Sequence, residues 1–154
     1  MEKTDEFFMS EALKEAKRAF DKDEVPVGAV IVHEDNIIAR AHNQRELLKD
    51  PTAHAEMIAL TQAASHLDNW RLTGTTIYVT KEPCPMCAGA IMLSRIDKLI
   101  FATYDAKGGA CGSVLNITNN DKLNHHVEVV TGILESESKS LLQEFFRKKR
   151  TDAI

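Results

Sequence analysis

The sequence predicts an α/β layered domain with a mixed sheet at its centre. Two observations carry that expectation. Short β-branched runs alternate with apolar-striped segments of ten or more residues, and the first two runs are joined by a tight polar turn, so that a hairpin opens the sheet. At 154 residues the chain is one domain's worth, and a globule of that size buries about two thirds of the surface its unfolded chain exposes. A composition of 44% hydrophobic and 27% charged residues excludes disordered, collagenous and fibrous classes. No repeat, linker or low-complexity segment divides the sequence, so residues 1–154 read as a single domain.

The elements follow in order. Phe8, Ala12, Ala16 and Phe20 recur every four residues among Lys and Glu, which marks a helix from about Thr4 to Asp21. Pro26 ends the polar break after it, and Val27–Val32 then reads as a buried strand. Glu34-Asp35-Asn36 turns the chain into a returning strand over Ile37–Ala41. Asn43–Ala53 is polar with a proline at 51, hence a loop. Helical spacing resumes at His54 through Ala55, Ile58, Ala59, Ala63 and Leu67. Thr75–Thr80 is a strand, and a helix begins at Pro85, a residue suited to the first helical position because its missing N–H would have no partner there. Lys98–Ala102 is a further strand, the Gly-rich run 108–112 reads as flexible, His125–Val130 as a short strand, and Leu134–Lys149 as a closing amphipathic helix.

The polar, acidic N-terminus lacks an apolar signal core, and no run approaches the ~18 apolar residues of a membrane span, so a cytoplasmic protein without a membrane partner is expected. Three cysteines cannot all pair within one chain. Two of them form Cys84-Pro85-Met86-Cys87, a spacing that in a reducing compartment points to metal or redox chemistry.

That pair opens one helix and His54-Ala55-Glu56 opens another. A helix N-terminus stabilises the thiolates that zinc requires, and His54, Cys84 and Cys87 would give the ion three ligands and leave a fourth position for water. Glu56 stands about 200° around the helix from His54, so both converge on the ion only if it sits ahead of the helix end near its axis, which leaves Glu56 beside that water as a proton shuttle and not as a ligand. Zinc lowers the pKa of its water to about 7, and a carboxylate beside it can pass the proton to a leaving amine. The parts amount to hydrolytic deamination of an amidine-like ring carbon. A lone Cys-x-x-Cys is as often a structural knuckle or a redox pair, but a redox role leaves His54 and Glu56 without a task. Cys111 sits in a Gly-rich segment and reads as an ordinary small residue. The remaining histidines, His33, His42, His66, His125 and His126, read as packing or solvent-facing side chains and not as ligands.

His-x-Glu followed by Pro-Cys-x-x-Cys is the signature of zinc nucleobase deaminases. The segments Glu24–Ala29, Ala41–Glu46, Pro51–Glu56, Glu82–Ala90 and Asp105–Gly109 extend the likeness over nearly the whole chain. Together they resemble the bacterial tRNA-specific adenosine deaminase family (the TadA type), within the zinc-dependent cytidine and deoxycytidylate deaminases. The resemblance implies a three-layer α/β/α cytidine-deaminase-like fold with a central mixed five-stranded sheet. It also implies a homodimer with one Zn2+ per subunit, converting adenosine to inosine at the wobble position of a tRNA anticodon stem-loop. Carried over residue by residue, it makes Glu56 catalytic and His54, Cys84 and Cys87 the metal ligands. Val27 lines the base pocket, Asn43 bonds the flipped base or its ribose, the Ala55 N–H contacts the base edge, and Lys107, Asn124, His125 and Arg150 hold flanking nucleotides. The zinc motif alone also fits a guanine or other free nucleobase or nucleoside deaminase, and the basic tail would suit a non-catalytic zinc-stabilised RNA-binding module.

The net charge of −4 argues against a protein that coats phosphate, yet its distribution is uneven. Residues 1–70 hold 8 basic against 14 acidic residues and residues 71–154 hold 11 against 9, so the acidity is concentrated in the first half. A compact footprint on one RNA loop needs only a few cations, which Lys107 and the 147–150 cluster would supply.

Overall fold

Alternation along five strands sorts the buried side chains onto two faces of one sheet. In the computed structural model, which describes residues 3–152, the elements are α1 (Asp5–Asp21), β1 (Gly28–His33), β2 (Asn36–His42), α2 (Arg45–Leu48), α3 (Ala55–Leu67), β3 (Thr75–Lys81), α4 (Pro85–Leu93), β4 (Lys98–Thr103), β5 (Glu128–Thr131) and α5 (Glu135–Asp152). The strand order is β2-β1-β3-β4-β5. β1 pairs antiparallel with both β2 and β3, whereas β3–β4 and β4–β5 are parallel, so the sheet is mixed as expected.

One face carries Ala29, Ile31, Ile77, Val79, Leu99 and Phe101, all buried beneath Ala59 and Ala63 of α3 and Ala88 and Ile91 of α4. The other carries Val30, Val32, Tyr78, Ile100 and Ala102 against Phe8, Met9 and Ala12 of α1. α5 completes this second layer, where Phe145 meets Phe20 of α1 edge-on at 5.9 Å. The three-layer α/β/α architecture is therefore present. It follows from the period of two in the strands and the small residues on the helices, which let backbone and sheet approach closely.

Gly28 marks the tightest of these approaches. A Cβ there would stand 2.0 Å from the Ala12 carbonyl oxygen and 2.6 Å from the Ala16 nitrogen, so only glycine lets α1 cross β1 at this point. At its start α1 is capped by Thr4, whose hydroxyl accepts from the Phe7 N–H at 3.1 Å.

Two segments differ from the sequence expectation. Within the expected loop 43–53, Arg45–Leu48 forms the helical turn α2, because the buried carboxylate of Glu24 accepts the N–H groups of Glu46 (3.1 Å) and Leu47 (2.8 Å) and caps the turn from a distant part of the chain. The run 108–112, read as flexible, is tied down by hydrogen bonds to Glu82 and Pro83. Among the described residues no helix is long and apolar enough to cross a membrane.

Candidate active site

Two helix beginnings converge on one point. His54 and Cys84 occupy the N-cap positions of α3 and α4 in extended conformations, and Cys87 lies in the first turn of α4. His54 Nδ1 is 3.6 Å from Cys84 Sγ and 3.4 Å from Cys87 Sγ. A tetrahedral zinc with ordinary bond lengths sets nitrogen and sulfur about 3.6 Å apart. The three donors thus fit a tetrahedral ion, and both positive helix ends face the sulfurs. Cys111 is buried outside this cluster.

The three donors shift one another's protonation. A hydrogen bond from Cys87, followed by one from His54, pushes the Cys84 thiol down to about 3. Cys87 is pushed up because it donates to Cys84 and is desolvated. The bond to Cys84 raises His54, and burial raises Glu56. Glu56, in the first turn of α3, is 4% exposed.

A cavity of 210 Å³ opens over these groups, with Val27, Asn43, His54, Glu56 and Cys84 in its wall and Arg45 and Phe146 also lining it. Asn43 is fixed by function-neutral local physics: its Oδ1 accepts the Ala55 N–H at 2.8 Å, which caps α3 in place of the His54 side chain. Ala55 itself is buried, and its N–H is engaged by that bond.

A larger groove of 900 Å³ shares Lys81 and Phe146 with the cavity and gathers Lys107, Lys139, Lys149 and Arg150. Lys107 and Arg150 are therefore brought together beside the site. Asn124 and His125 line neither space, and the His125 Nε2 is 2.8 Å from the Ile96 carbonyl oxygen. Among the other histidines, His42 packs against Glu15 at 3.3 Å, in keeping with a packing role. The sequence reading missed Lys81, Glu82, Lys139 and Phe146. Only the alternation of basic and apolar residues along α5 hinted at the last two.

The model of the MafB19-like deaminase family matches residues 3–150. The tRNA-specific adenosine deaminase of Bacillus subtilis (strain 168) is 52% identical over 146 residues, covering 95% of this chain and 91% of that protein. That of Aquifex aeolicus (strain VF5) is 53% identical over 149 residues, 97% and 98% of the two chains. The chain belongs to the tRNA-specific adenosine deaminase family. A solved structure from work on A-to-I editing by tRNA:A34 deaminases superposes on this family member with a TM-score of 0.85 at 44% identity, covering 88% of this chain and 98% of that one. As a deaminase it is an enzyme, and the donor atoms of His54, Cys84 and Cys87, all within 4.8 Å of one another, could hold a metal ion.

Proposed function

We propose that the chain is a single-domain enzyme that hydrolytically deaminates adenosine to inosine at the wobble position of a tRNA anticodon. The observation that carries this reading is the cavity over His54, Cys84 and Glu56 opening beside a cationic groove. A zinc ion, one per subunit, would be held by His54, Cys84 and Cys87, and when bound it supplies a Lewis acid that makes water a nucleophile near neutral pH. Glu56, buried in the wall, takes the proton of the attacking water and returns it to the amine that leaves. Asn43 spends its carbonyl on α3, which leaves its NH2 for a base or ribose acceptor, while Val27 supplies an apolar wall. The Ala55 N–H stands behind Asn43 and would reach a base edge only by sharing its bond. Lys107 and Arg150 would hold flanking phosphates, whereas Asn124 and His125, which line neither space, keep an RNA-contact role on the family resemblance alone. An anticodon loop is already largely unpaired, so extruding its base costs less than in a duplex.

A second copy would dock on the exposed apolar patch between α3 and α4, where Trp70 and Leu93 are 58% and 62% exposed beside Met57, Ala64 and Ala90. Such a homodimer working on tRNA belongs in the cytoplasm. The test is incubation of metal-replete protein with a tRNA bearing wobble adenosine. Inosine at that position is the expected result, whereas ammonia from free guanine with the tRNA unchanged would favour a free-base deaminase.

A further inference from the structure

We propose that Glu82 is a positioning residue that couples the metal-binding loop to the loop carrying Lys107. The RNA contact of Lys107 rests on the function proposed above; the coupling itself does not. The Glu82 carboxylate is 2% exposed and accepts four hydrogen bonds, all from residues 105–113. Oε1 accepts the Asp105 N–H at 3.0 Å and the Ser113 hydroxyl at 2.5 Å, and Oε2 accepts the N–H groups of Cys111 at 3.0 Å and Ser113 at 3.1 Å. Two backbone bonds close the same seam: Glu82 N–H to the Thr103 carbonyl, and Ala110 N–H to the Pro83 carbonyl, each at 2.9 Å.

The connection continues from there. Asp105, held by Glu82 through its N–H, accepts the N–H groups of Lys107 and Gly108 on its own side chain, each at 3.1 Å, and pairs with Lys81 at 3.1 Å. Glu82 stands two residues before Cys84 and also lines the cavity. One buried side chain therefore sets the spacing between the metal ligands and the start of the cationic groove. A carboxylate suits the task because every group around it is a donor; an amide in its place would turn an NH2 toward N–H groups and leave some of them unpaired. Gly109 belongs to the same device. A Cβ there would fall 2.2 to 2.5 Å from the three carboxylate atoms, which are anchored on four donors and cannot swing aside.

The experiment compares the full-length, zinc-loaded protein with Glu82→Gln and Gly109→Ala, the second keeping the carboxylate's chemistry while crowding its seat. Three quantities are read: zinc content, amide hydrogen exchange, and single-turnover kinetics on an RNA hairpin with wobble adenosine. Both variants are expected to keep their zinc, to exchange faster at 105–113 while α3 is unchanged, and to bind the hairpin about tenfold or more weakly. Their rate at saturating RNA should stay within about threefold of the parent. If Glu82→Gln does not fold, Gly109→Ala decides alone. Parental exchange and affinity in the folded variant would overturn the proposal, and so would lost zinc or a collapsed saturating rate at unchanged affinity. Absence of inosine from the parent protein would contradict the proposed function instead, and the exchange measurement would still decide the coupling.

Discussion

His54 occupies the N-cap of α3 with its imidazole turned toward sulfur, so the helix takes its capping acceptor from Asn43, twelve residues before the N–H it receives. A donor position that fits a metal and the helix cap are thus divided between two side chains that meet in one cavity. Asn43→Ala is expected to lower stability by about 1 kcal/mol, the ordinary value of a cap, and to raise KM. Asn43→Asp keeps the acceptor and should hold the parental urea midpoint while still raising KM, since only the NH2 is lost. Glu11 illustrates a different use of a buried carboxylate: hydrogen bonds from Lys14 and Arg40, at 2.5 and 2.7 Å, hold its carboxyl below the usual glutamate range. A carboxyl whose folded value is depressed contributes stability above its unfolded value and loses that stability as pH falls through the folded one. Glu11→Gln should therefore be less stable than the parent at pH 7 by a modest amount, under about 1 kcal/mol because the cations are exposed. The two urea midpoints should converge below about pH 4.

At the scale of elements, whatever depended on local spacing was legible in the sequence. The alternation of β1, β3 and β4, the four-residue stripe of α1, and the two helix starts that carry His54 and Cys84 all appear where their residues place them. What escaped was non-local. α2 forms because Glu24, more than twenty residues away, caps it, and 108–112 is ordered because Glu82 collects its donors. A polar residue in sequence carries no sign of which distant N–H groups it will meet. Gly28 lies between these cases: it could be seen in its strand, but the need for glycine appears only when α1 is laid across it. Gly28→Ala should cost about 3 kcal/mol or more, because a methyl against backbone cannot be relieved by a rotamer change. A urea titration that finds Gly28→Ala as stable as the parent would contradict that packing.

For the whole molecule, the uneven charge becomes a surface with one cationic groove. Of its five basic side chains, Lys81 is paired with Asp105 and Lys149 with Asp23, leaving Lys107, Lys139 and Arg150 without an ion pair among the described residues. Three phosphate contacts on single-stranded RNA correspond to a slope of log K against log salt of about −2. Replacing both Lys107 and Arg150 with alanine should weaken binding and flatten that slope by about 1.4. With so few contacts on phosphate, specificity is expected from the 210 Å³ cavity and not from bulk attraction.

In the proposed reaction this cavity deaminates a flipped adenosine, with Glu56 moving the proton. The most direct measurement sets metal-replete parent and Glu56→Ala side by side on one anticodon hairpin, reading bound zinc, RNA affinity and inosine at the wobble position. The expected result is equal zinc and affinity, with inosine from the parent alone. Inosine from Glu56→Ala at a comparable rate, or none from the parent, would contradict it.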